Sequence, residues 1–418
     1  MSNTDFPKDF LWGSSTAGHQ VEGDLYDNWT VWEEANAQQL ANNSHKHSWT
    51  PVWPEVKSLA ENPDNYQSGN GVDHYNRYKE DFQIIKKLNL NSFRFSVEWS
   101  RIEPVEGKWD QAELDRYVQY VRELKAEGIE PMLNLWHWTH PVWFEQKGAF
   151  TKKANIKYFE RFVRKLAPLI EEVRYIVTIN EPNNVAWFQY VAGEWPPAEK
   201  GKYLKGFKVF RNLITAHKRS YKAIKQINSN TLVTTALSSS SNVPNDPHKL
   251  SHRLAARAAN YAGNTWYLKR VDKYHDVVGF NYYFKNYVGV GKGFKNPDKP
   301  LNDLGWYMEP YGIIDVLRMV SKKFNNKPII ILENGVADRN DAFRGWWIDE
   351  TMKALCDARA EGINLIGYYH WSLLDNFEWA YGWWPNFGLV HVDRKTMKRT
   401  VRPSAKAWAK WLQDVQTS

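Results

Sequence analysis

Eight short apolar runs alternate along this chain with longer stretches of helical periodicity, and this alternation limits the possible folds more than any other feature. Apolar runs of about 4–8 residues indicate buried strands, and amphipathic stretches between them indicate helices. The pattern therefore predicts successive βα units and a parallel sheet. The eight runs are residues 10–15, 92–97, 131–136, 175–180, 232–237, 276–283, 328–332 and 364–371.

Residues 111–128 show the helical pattern clearly, with Gly128 as the expected stop. Eight strands and eight helices of this kind close into a (β/α)8 (TIM) barrel, and residues 1–418 suit one such catalytic domain. An open, doubly wound sheet is less favoured, because no G-x-G-x-x-G turn follows the first apolar run.

The remaining polar segments, rich in Asn, Ser, Gly and Pro, predict long rim loops at 36–70, 239–262 and 284–305. Ser238–Ser241, a short run of serines, is also interpreted as a loop. The expected architecture is a single barrel with insertions at its rim.

The composition is that of a globular protein, with 43% hydrophobic and 24% charged residues. No apolar run approaches the roughly 20 residues of a membrane-spanning helix, and the N-terminus lacks the regions of a signal peptide. The single cysteine, Cys356, cannot form an internal disulfide and is expected to pack as a small hydrophobic residue in a helix. These features favour a cytoplasmic protein without a membrane partner.

The net charge of +8 raises the possibility of a nucleic-acid partner, but the basic residues do not support it. Lys and Arg are spread along helix-like faces and interleaved with Glu and Asp, without a basic tail or stripe. The 22 tryptophans are more informative, because Trp is amphipathic and suits the lining of a binding cleft.

In a barrel of this kind, the working residues stand at the carboxyl ends of the strands and in the loops that follow. Most of the predicted strands here end in carboxylates, amides, His or Trp. We therefore expect a ring of polar and aromatic groups around one mouth. The segments concerned are 19–23, 98–104, 136–141, 180–184, 281–283, 333–335 and 370–379.

Two glutamates, Glu181 and Glu333, follow apolar strands in matching contexts. Paired carboxyl groups on a barrel rim suit glycoside cleavage, in which one acts as an acid and the other as a nucleophile. The two must differ in pKa, which different surroundings can arrange. Arg94 is a candidate for keeping Glu333 ionised, and Asn180 could bind a sugar hydroxyl.

Histidines do not form a convincing metal motif. His45, His47, His137 and His140 lack Cys or carboxylate partners at ligand spacing, so no metal and no cofactor are expected. His137, between two tryptophans, suits a neutral hydrogen-bonding role.

The segments TINEP (178–182) and IILENG (330–335) resemble the two signatures of glycoside hydrolase family 1, the retaining β-glycosidases of β-glucosidase and β-galactosidase type. Further matching segments fall in the expected order from about Phe10 to Arg402. They are FLWGSSTAGHQVEG, RFSVEWSRI, LWHWTHPVW, GFNYY, the Gly-Trp and Pro of 305–312, and YYHWSLLDNFEW.

The resemblance implies that Glu181 is the acid/base and Glu333 the nucleophile. It further implies Trp371 as the floor of the sugar site, Phe387 as a wall near the hydroxymethyl group and Trp306 as an aglycone platform. The residues that resemble those gripping the non-reducing-end sugar are Gln20, His137, Asn180, Glu378 and Trp379. The supporting residues are Arg94, Asn281 and Tyr283.

Some positions depart from the family pattern. His19 stands where the family often has an aromatic residue, and Ile and Leu replace the more usual Phe and Thr in the two signatures. The chain is also short for the family. None of these departures changes a catalytic group.

The expected function is hydrolysis of terminal, unphosphorylated β-D-glucosyl, galactosyl or fucosyl residues from oligosaccharides or aryl and alkyl glycosides, through a covalent glycosyl-enzyme. A transglycosylase of the same mechanism, or a non-catalytic sugar-binding barrel, remains an alternative. A phosphate-binding isomerase is less favoured, because no Gly-rich phosphate loop follows the seventh or eighth strand.

Overall fold

The computed structural model describes residues 6–289 and 299–417, and its centre is a closed parallel barrel of eight strands. Each strand pairs with the next in sequence, and the first pairs with the eighth. The eight predicted strands are confirmed, each within a few residues except where noted below. The barrel strands are β1 Leu11–Ser15, β2 Ser92–Ser96, β3 Glu130–Asn134, β4 Tyr175–Asn180, β5 Leu232–Pro244, β6 Val278–Val288, β7 Ile329–Asn334 and β8 Leu365–Trp371.

Helices surround the barrel and also fill much of its rim, and a small antiparallel hairpin of β9 (Val390–Asp393) and β10 (Lys398–Val401) follows β8. The α-helices are α1 Gly18–Val21, α2 Asn28–Asn42, α3 Trp53–Ala60, α4 His74–Lys87, α5 Trp99–Ile102, α6 Gln111–Ala126, α7 Val142–Gln146, α8 Ile156–Lys165, α9 Ala167–Ile170, α10 Pro182–Trp187, α11 Tyr203–Ile227, α12 Leu250–Asn260, α13 Trp266–Val271, α14 Ile313–Lys323, α15 Arg344–Ala360 and α16 Pro403–Thr417.

The sequence of β7 is apolar at successive positions because both faces of the strand are buried. Ile330 and Leu332 belong to the cluster that fills the barrel interior, whereas Ile329 and Ile331 pack in the larger cluster between the barrel and its helices. Both faces are buried, as is usual in parallel sheets covered by helices. A continuous apolar run is therefore what this strand requires.

In helix α6, the buried side chains recur with a period near 3.6 residues. Its buried side chains include Leu114, Val118 and Val121, which share one face. Asp110 caps the start by accepting a hydrogen bond from the Glu113 backbone N–H at 3.1 Å. The helix ends just before Gly128, whose φ of +76° suits glycine, so the predicted helix and its stop are confirmed.

The loop prediction for Ser238–Ser241 is wrong, because β5 runs through these serines and stays paired with β6 as far as Pro244. Side chains of α12 and the turn after it stabilise the extension. Asn260 and Asn264 exchange hydrogen bonds with β5, including one from Asn264 Nδ2 to the Ser240 carbonyl at 2.7 Å. The serine run lacks the apolar pattern that indicates a buried strand. The contacts of this part of β5 with the residues that cover it are hydrogen bonds from amide side chains.

The other predicted rim insertions are only partly loops. Segment 36–70 contains the second half of α2 and all of α3, and segment 239–262 contains α12. Segment 284–305 begins with the end of β6, and its residues 290–298 lie outside the described part of the chain. Cys356 is buried in α15, as expected.

No helix within residues 6–289 and 299–417 is both long and apolar enough to cross a membrane.

Shortening a side chain in the barrel interior should destabilise the fold. Ile330→Ala removes methyl groups from a fully buried site and leaves a cavity, so the free energy of unfolding should fall by about 2–5 kcal/mol. Leu204→Ala is the matched control, because Leu204 is 89% exposed and its loss should cost less than about 0.5 kcal/mol. Urea denaturation of the two variants checks this, and equal stability would contradict the assignment of Ile330 to the core.

Candidate active site

The end of β7 turns Glu333 toward the mouth of the barrel through a shift in strand register. Phe280 of β6 pairs with Ile331, but the next residue, Asn281, pairs with Glu333, so Leu332 is one extra residue in β7. Strict alternation would have placed Glu333 on the same face as Ile331, against the helices. A bulge of this kind re-aims the side chain that follows it.

The end of β4 carries a similar irregularity. Val177 pairs with Thr234 and Asn180 with Ala236, so β4 advances three residues while β5 advances two. Glu181 follows directly, with a left-handed φ of +44° and its N–H donating to the Ala236 carbonyl at 2.8 Å. Non-glycine residues in this region are uncommon and cluster at functional sites.

Hydrogen bonds surround both carboxyl groups. Arg94 Nη1 donates to Glu333 Oε1 at 2.5 Å, and Tyr283 Oη donates to Glu333 Oε2 at 3.0 Å. Asn281 Nδ2 donates to Glu181 Oε1 at 2.8 Å, and Asn184 Nδ2 donates to Glu181 Oε2 at 2.7 Å. Glu333 therefore faces a cation and a hydroxyl, whereas Glu181 faces two amides.

These surroundings separate the two carboxyl groups electrostatically. Burial raises the pKa of Glu181 to about 8, and the negative charge of Glu333 contributes to the rise. Burial also raises the pKa of Glu333, but the charge of Arg94 and the hydrogen bonds from Arg94 and Tyr283 oppose it. Glu181 therefore keeps its proton at neutral pH, and Glu333 is the more readily ionised of the two.

The two glutamates line a cavity of about 180 Å³. Four of its lining residues are glutamates, and none of the described lining residues is Lys or Arg. Most of the others are aromatic. The lining consists of His137, Trp138, Glu181, Asn184, Phe188, Glu194, Trp195, Ser238, Tyr283, Phe284, Trp306, Glu333, Trp371, Glu378, Trp379, Tyr381 and Phe387.

Nine of the residues predicted for the site line this cavity, and the other four lie directly around it. Gln20 Nε2 donates to the Phe377 carbonyl at 2.6 Å and lies 3.5 Å from Glu378 Oε2. Arg94 Nη2 donates to Asn180 Oδ1 at 2.7 Å. Asn180 in turn lies 3.0 Å from His137 Nε2, and Asn281 contacts Glu181 as described above.

His137 is fully buried, and its pKa is lowered well below the ordinary value by burial and by the charge of Arg94. The ring is therefore neutral, as the sequence suggested. Within the described residues, no group of three or more His, Cys, Asp or Glu side chains is arranged to hold a metal ion.

Several lining residues, among them Phe188, Glu194 and Trp195, lie outside the segments predicted for the mouth. They belong to the segment after α10, in which residues 188–192 form a π-helix, whereas Asn184 lies in the predicted segment 180–184. Their segment has neither helical nor strand periodicity, so only its aromatic and acidic composition could have drawn attention to it.

A second, larger cavity of about 610 Å³ adjoins the first and shares Glu194, Trp306 and Tyr381 with it. The amides of Asn36 and Gln39 line it on the α2 side. Trp49, although 62% exposed, lies so close to Gly305 that a Cβ there would meet its ring at 2.3 Å. This outer cavity thus combines amides with exposed aromatic faces.

A closed (β/α)8 barrel with two unlike carboxyl groups at one mouth is an arrangement suited to a glycosidase. Comparison with known proteins agrees with this class. The profile described as glycosyl hydrolase family 1 matches residues 2–279 and 270–418. The chain therefore belongs to glycosyl hydrolase family 1 and is a β-glucosidase-like enzyme, which confirms the predicted family and fold.

The relatives found include β-glucosidase A of Acetivibrio thermocellus, which is 29% identical over 97% of this chain and 97% of its own. A 6-phospho-β-galactosidase of Staphylococcus epidermidis is 26% identical, again over 97% of both chains. Among solved structures, the family 1 β-glucosidase of Thermotoga maritima matches with a TM-score of 0.86 at 27% identity, covering 99% of both chains.

The charge of Glu333 should control the protonation of Glu181. Glu333→Gln removes a negative charge beside Glu181, so the pKa of Glu181 should fall from about 8. Asn184→Ala should raise it instead, because it removes a hydrogen bond that favours the ionised form. A carboxyl-carbon NMR titration of Glu181 measures both effects, and shifts of the same sign would contradict the described arrangement.

Proposed function

We propose that this protein is a retaining β-glycosidase whose whole chain acts as one catalytic domain. It releases terminal, unphosphorylated β-D-glucosyl, galactosyl or fucosyl residues from oligosaccharides or aryl and alkyl glycosides. The observation that carries the proposal is the pair of buried carboxyl groups in unlike surroundings, Glu181 beside amides and Glu333 beside Arg94. The single cysteine favours a cytoplasmic location.

Glu333 is assigned as the nucleophile and Glu181 as the acid/base. Glu333 attacks the anomeric carbon while protonated Glu181 gives its proton to the leaving glycosidic oxygen. The ionised Glu181 then takes a proton from water, whose oxygen displaces Glu333 from the sugar. The high pKa of Glu181 and the contact of Arg94 with Glu333 both support this division.

Retention requires carboxyl groups about 5–5.5 Å apart, whereas inversion needs about 6.5–9.5 Å to admit a water. The side chain of Asn281 supports the shorter separation. It donates to Glu181 at 2.8 Å, and its backbone is paired with that of Glu333 across β6 and β7. One residue that contacts Glu181 and lies beside Glu333 leaves little room between the two carboxyl groups.

The sugar at the non-reducing end is assigned to the inner cavity. Trp371 forms its floor, Phe387 its wall, and Trp306 the platform where the leaving group begins. The polar grip is assigned to Gln20, His137, Asn180, Glu378 and Trp379, with Arg94, Asn281 and Tyr283 as supports. Clustering of these residues around one small cavity supports the assignment.

The outer cavity is assigned to the leaving group. It begins at Trp306, which both cavities share, and it is lined by amides as well as by Trp49. Amides and aromatic faces together suit sugar rings, which present hydroxyls at their edges and apolar faces. Oligosaccharides are therefore included among the substrates.

Two alternatives differ in what the site does with a bound sugar. A transglycosylase would use the same two glutamates but pass the glycosyl group to an acceptor sugar. A non-catalytic sugar-binding barrel would not require two carboxyl groups of different pKa, so the pair favours an enzyme.

The first product should be the β-anomer. Two displacements at the anomeric carbon restore its configuration, so NMR of an early reaction mixture with an aryl β-glucoside should show β-glucose before mutarotation. Rates on aryl β-glucoside, β-galactoside, β-fucoside and β-mannoside define the preferred sugar. An α-anomer as first product would contradict retention, and no turnover on any of these would contradict the proposed activity.

Removal of each glutamate should impair a different step of the reaction. Glu333→Ala should abolish turnover of every substrate, and azide should restore it as an α-glycosyl azide, because azide then attacks from the vacated face. Glu181→Ala should still release activated aryl groups, which need little protonation, but should lose the second step. Azide should then give a β-glycosyl azide. The same anomer from both variants would show that the roles are misassigned.

Glu378 is the basis for expecting an unphosphorylated sugar. Burial, together with the charges of Glu333 and Glu181, raises its pKa to about 8. A protonated carboxyl group can donate one hydrogen bond and accept others, so it can serve neighbouring hydroxyls in either orientation. A phosphate of charge about −1.5 to −2 would meet carboxyl groups here without any Lys or Arg among the described lining residues.

Wild-type enzyme should therefore prefer a β-glucoside to its 6-phosphate. Glu378→Ser should lower kcat/KM on the unphosphorylated β-glucoside by about 100-fold, through loss of hydrogen bonds in a desolvated site. Steady-state kinetics on the sugar and its 6-phosphate, for both proteins, makes the comparison. Preference of the wild type for the phosphate, or an unchanged rate in the variant, would contradict the assignment.

A further inference from the structure

Behind the sugar cavity, His19 lies buried between two carboxyl groups of the α2 region. Its Nδ1 is 3.0 Å from Asp27 Oδ2, and its Nε2 is 2.7 Å from Glu33 Oε1. The side chains of His19 and Asp27 are 0% exposed, and that of Glu33 is 3% exposed. Both ring nitrogens therefore face acceptors in a site without solvent.

The other oxygens of these carboxyl groups also accept hydrogen bonds. Asp27 Oδ1 accepts from the backbone N–H groups of Trp29 and Thr30, and Glu33 Oε2 accepts from the N–H and hydroxyl of Ser68. In each of these further contacts the carboxyl oxygen is the acceptor. Because a neutral imidazole has a single N–H, a doubly protonated ring is the form that donates to both carboxyl groups.

Trp379 stacks on this ring. The ring centroids of His19 and Trp379 are 5.5 Å apart and the planes differ by 6°. Trp379 itself lines the sugar cavity next to Glu378, and its φ of +50° is left-handed. Such a conformation is an outlier for a bulky residue and persists only where surrounding contacts hold it.

We propose that His19 is a positioning residue whose fixed positive charge holds the Trp379 indole against the sugar cavity, on a backbone in the left-handed conformation. An imidazolium over an indole face is attracted by the ring quadrupole, and the attraction is strongest in a desolvated site. Asp27 and Glu33 supply the negative charge that keeps the imidazolium protonated. The effect on sugar binding rests on the proposed function; the protonation of His19 does not.

The surrounding charges agree with this arrangement. Besides Asp27 and Glu33, Glu98 lies near His19, and its Oε1 accepts from the His19 backbone N–H at 3.1 Å. Burial lowers the pKa of His19, but the attraction and hydrogen bonds of the two α2-region carboxylates outweigh it, and the pKa stands well above the ordinary value.

The first test is the protonation of His19 in the wild-type protein. Nitrogen-15 NMR of the histidine rings should show N–H signals on both His19 nitrogens at neutral and mildly alkaline pH. A single N–H on His19 at neutral pH would overturn the proposal, whatever the enzyme's substrate.

The second test removes the charge while keeping the shape. The triple variant His19→Phe/Asp27→Asn/Glu33→Gln retains a stacked ring and leaves no unpaired buried carboxylate. The double variant Asp27→Asn/Glu33→Gln keeps the histidine but removes the carboxylates that hold its second proton. In both, kcat/KM on an aryl β-glucoside should fall about 10- to 30-fold, and the Kd of deoxynojirimycin should rise by a similar factor.

The matched control is Asp81→Asn. Asp81 contacts His74 at 2.8 Å in a buried site that does not line either cavity, so this variant should lose stability without changing kcat/KM or Kd. Wild-type-like binding and rates in the folded triple variant would overturn the proposal. If the wild type itself neither cleaves β-glycosides nor binds deoxynojirimycin, the proposed function is wrong. The NMR measurement then still tests whether the His19 ring is doubly protonated.

Discussion

The buried ion pair between Arg94 and Glu333 is the interaction on which the mouth of the barrel depends. The Arg94 side chain is 0% exposed and that of Glu333 is 5% exposed, so each charge would be costly without the other. Through its second nitrogen, Arg94 also holds Asn180, so one guanidinium joins β2, β4 and β7. Charge balance and geometry at the site thus come from the same side chain.

Much of the fold follows from simple patterning. The apolar runs indicate strands that are buried on both faces, as in β7. The stretches of helical periodicity indicate helices that are buried on one face, as in α6. These patterns arise from the hydrophobic effect acting on every residue of an element, so they are visible in the sequence alone. The convergence of Glu181 and Glu333 on one cavity also follows, because carboxyl ends of parallel strands meet at one face.

The remaining features depend on contacts that no local pattern records. Ser238–Ser241 continues a strand because Asn260 of α12 and Asn264 of the turn after it hydrogen bond to β5. Phe188 and Trp195 reach the cavity from the segment after α10, which is placed by tertiary packing. The contacts of His19 with Asp27 and Glu33 could not be predicted, because neither acidic residue belongs to a recognisable sequence motif.

The extra residue in β7 has a consequence for how this enzyme can change over time. Up to Leu332, the side chains of β7 are constrained by packing on the two faces of the barrel. Glu333, the next residue, is constrained by its role in the active site. Deletion of Leu332 would restore regular pairing, but it would remove an interior side chain and put the carboxyl group in its place. Loss of the extra residue would therefore damage packing and chemistry together, so selection for a folded barrel alone would remove such descendants.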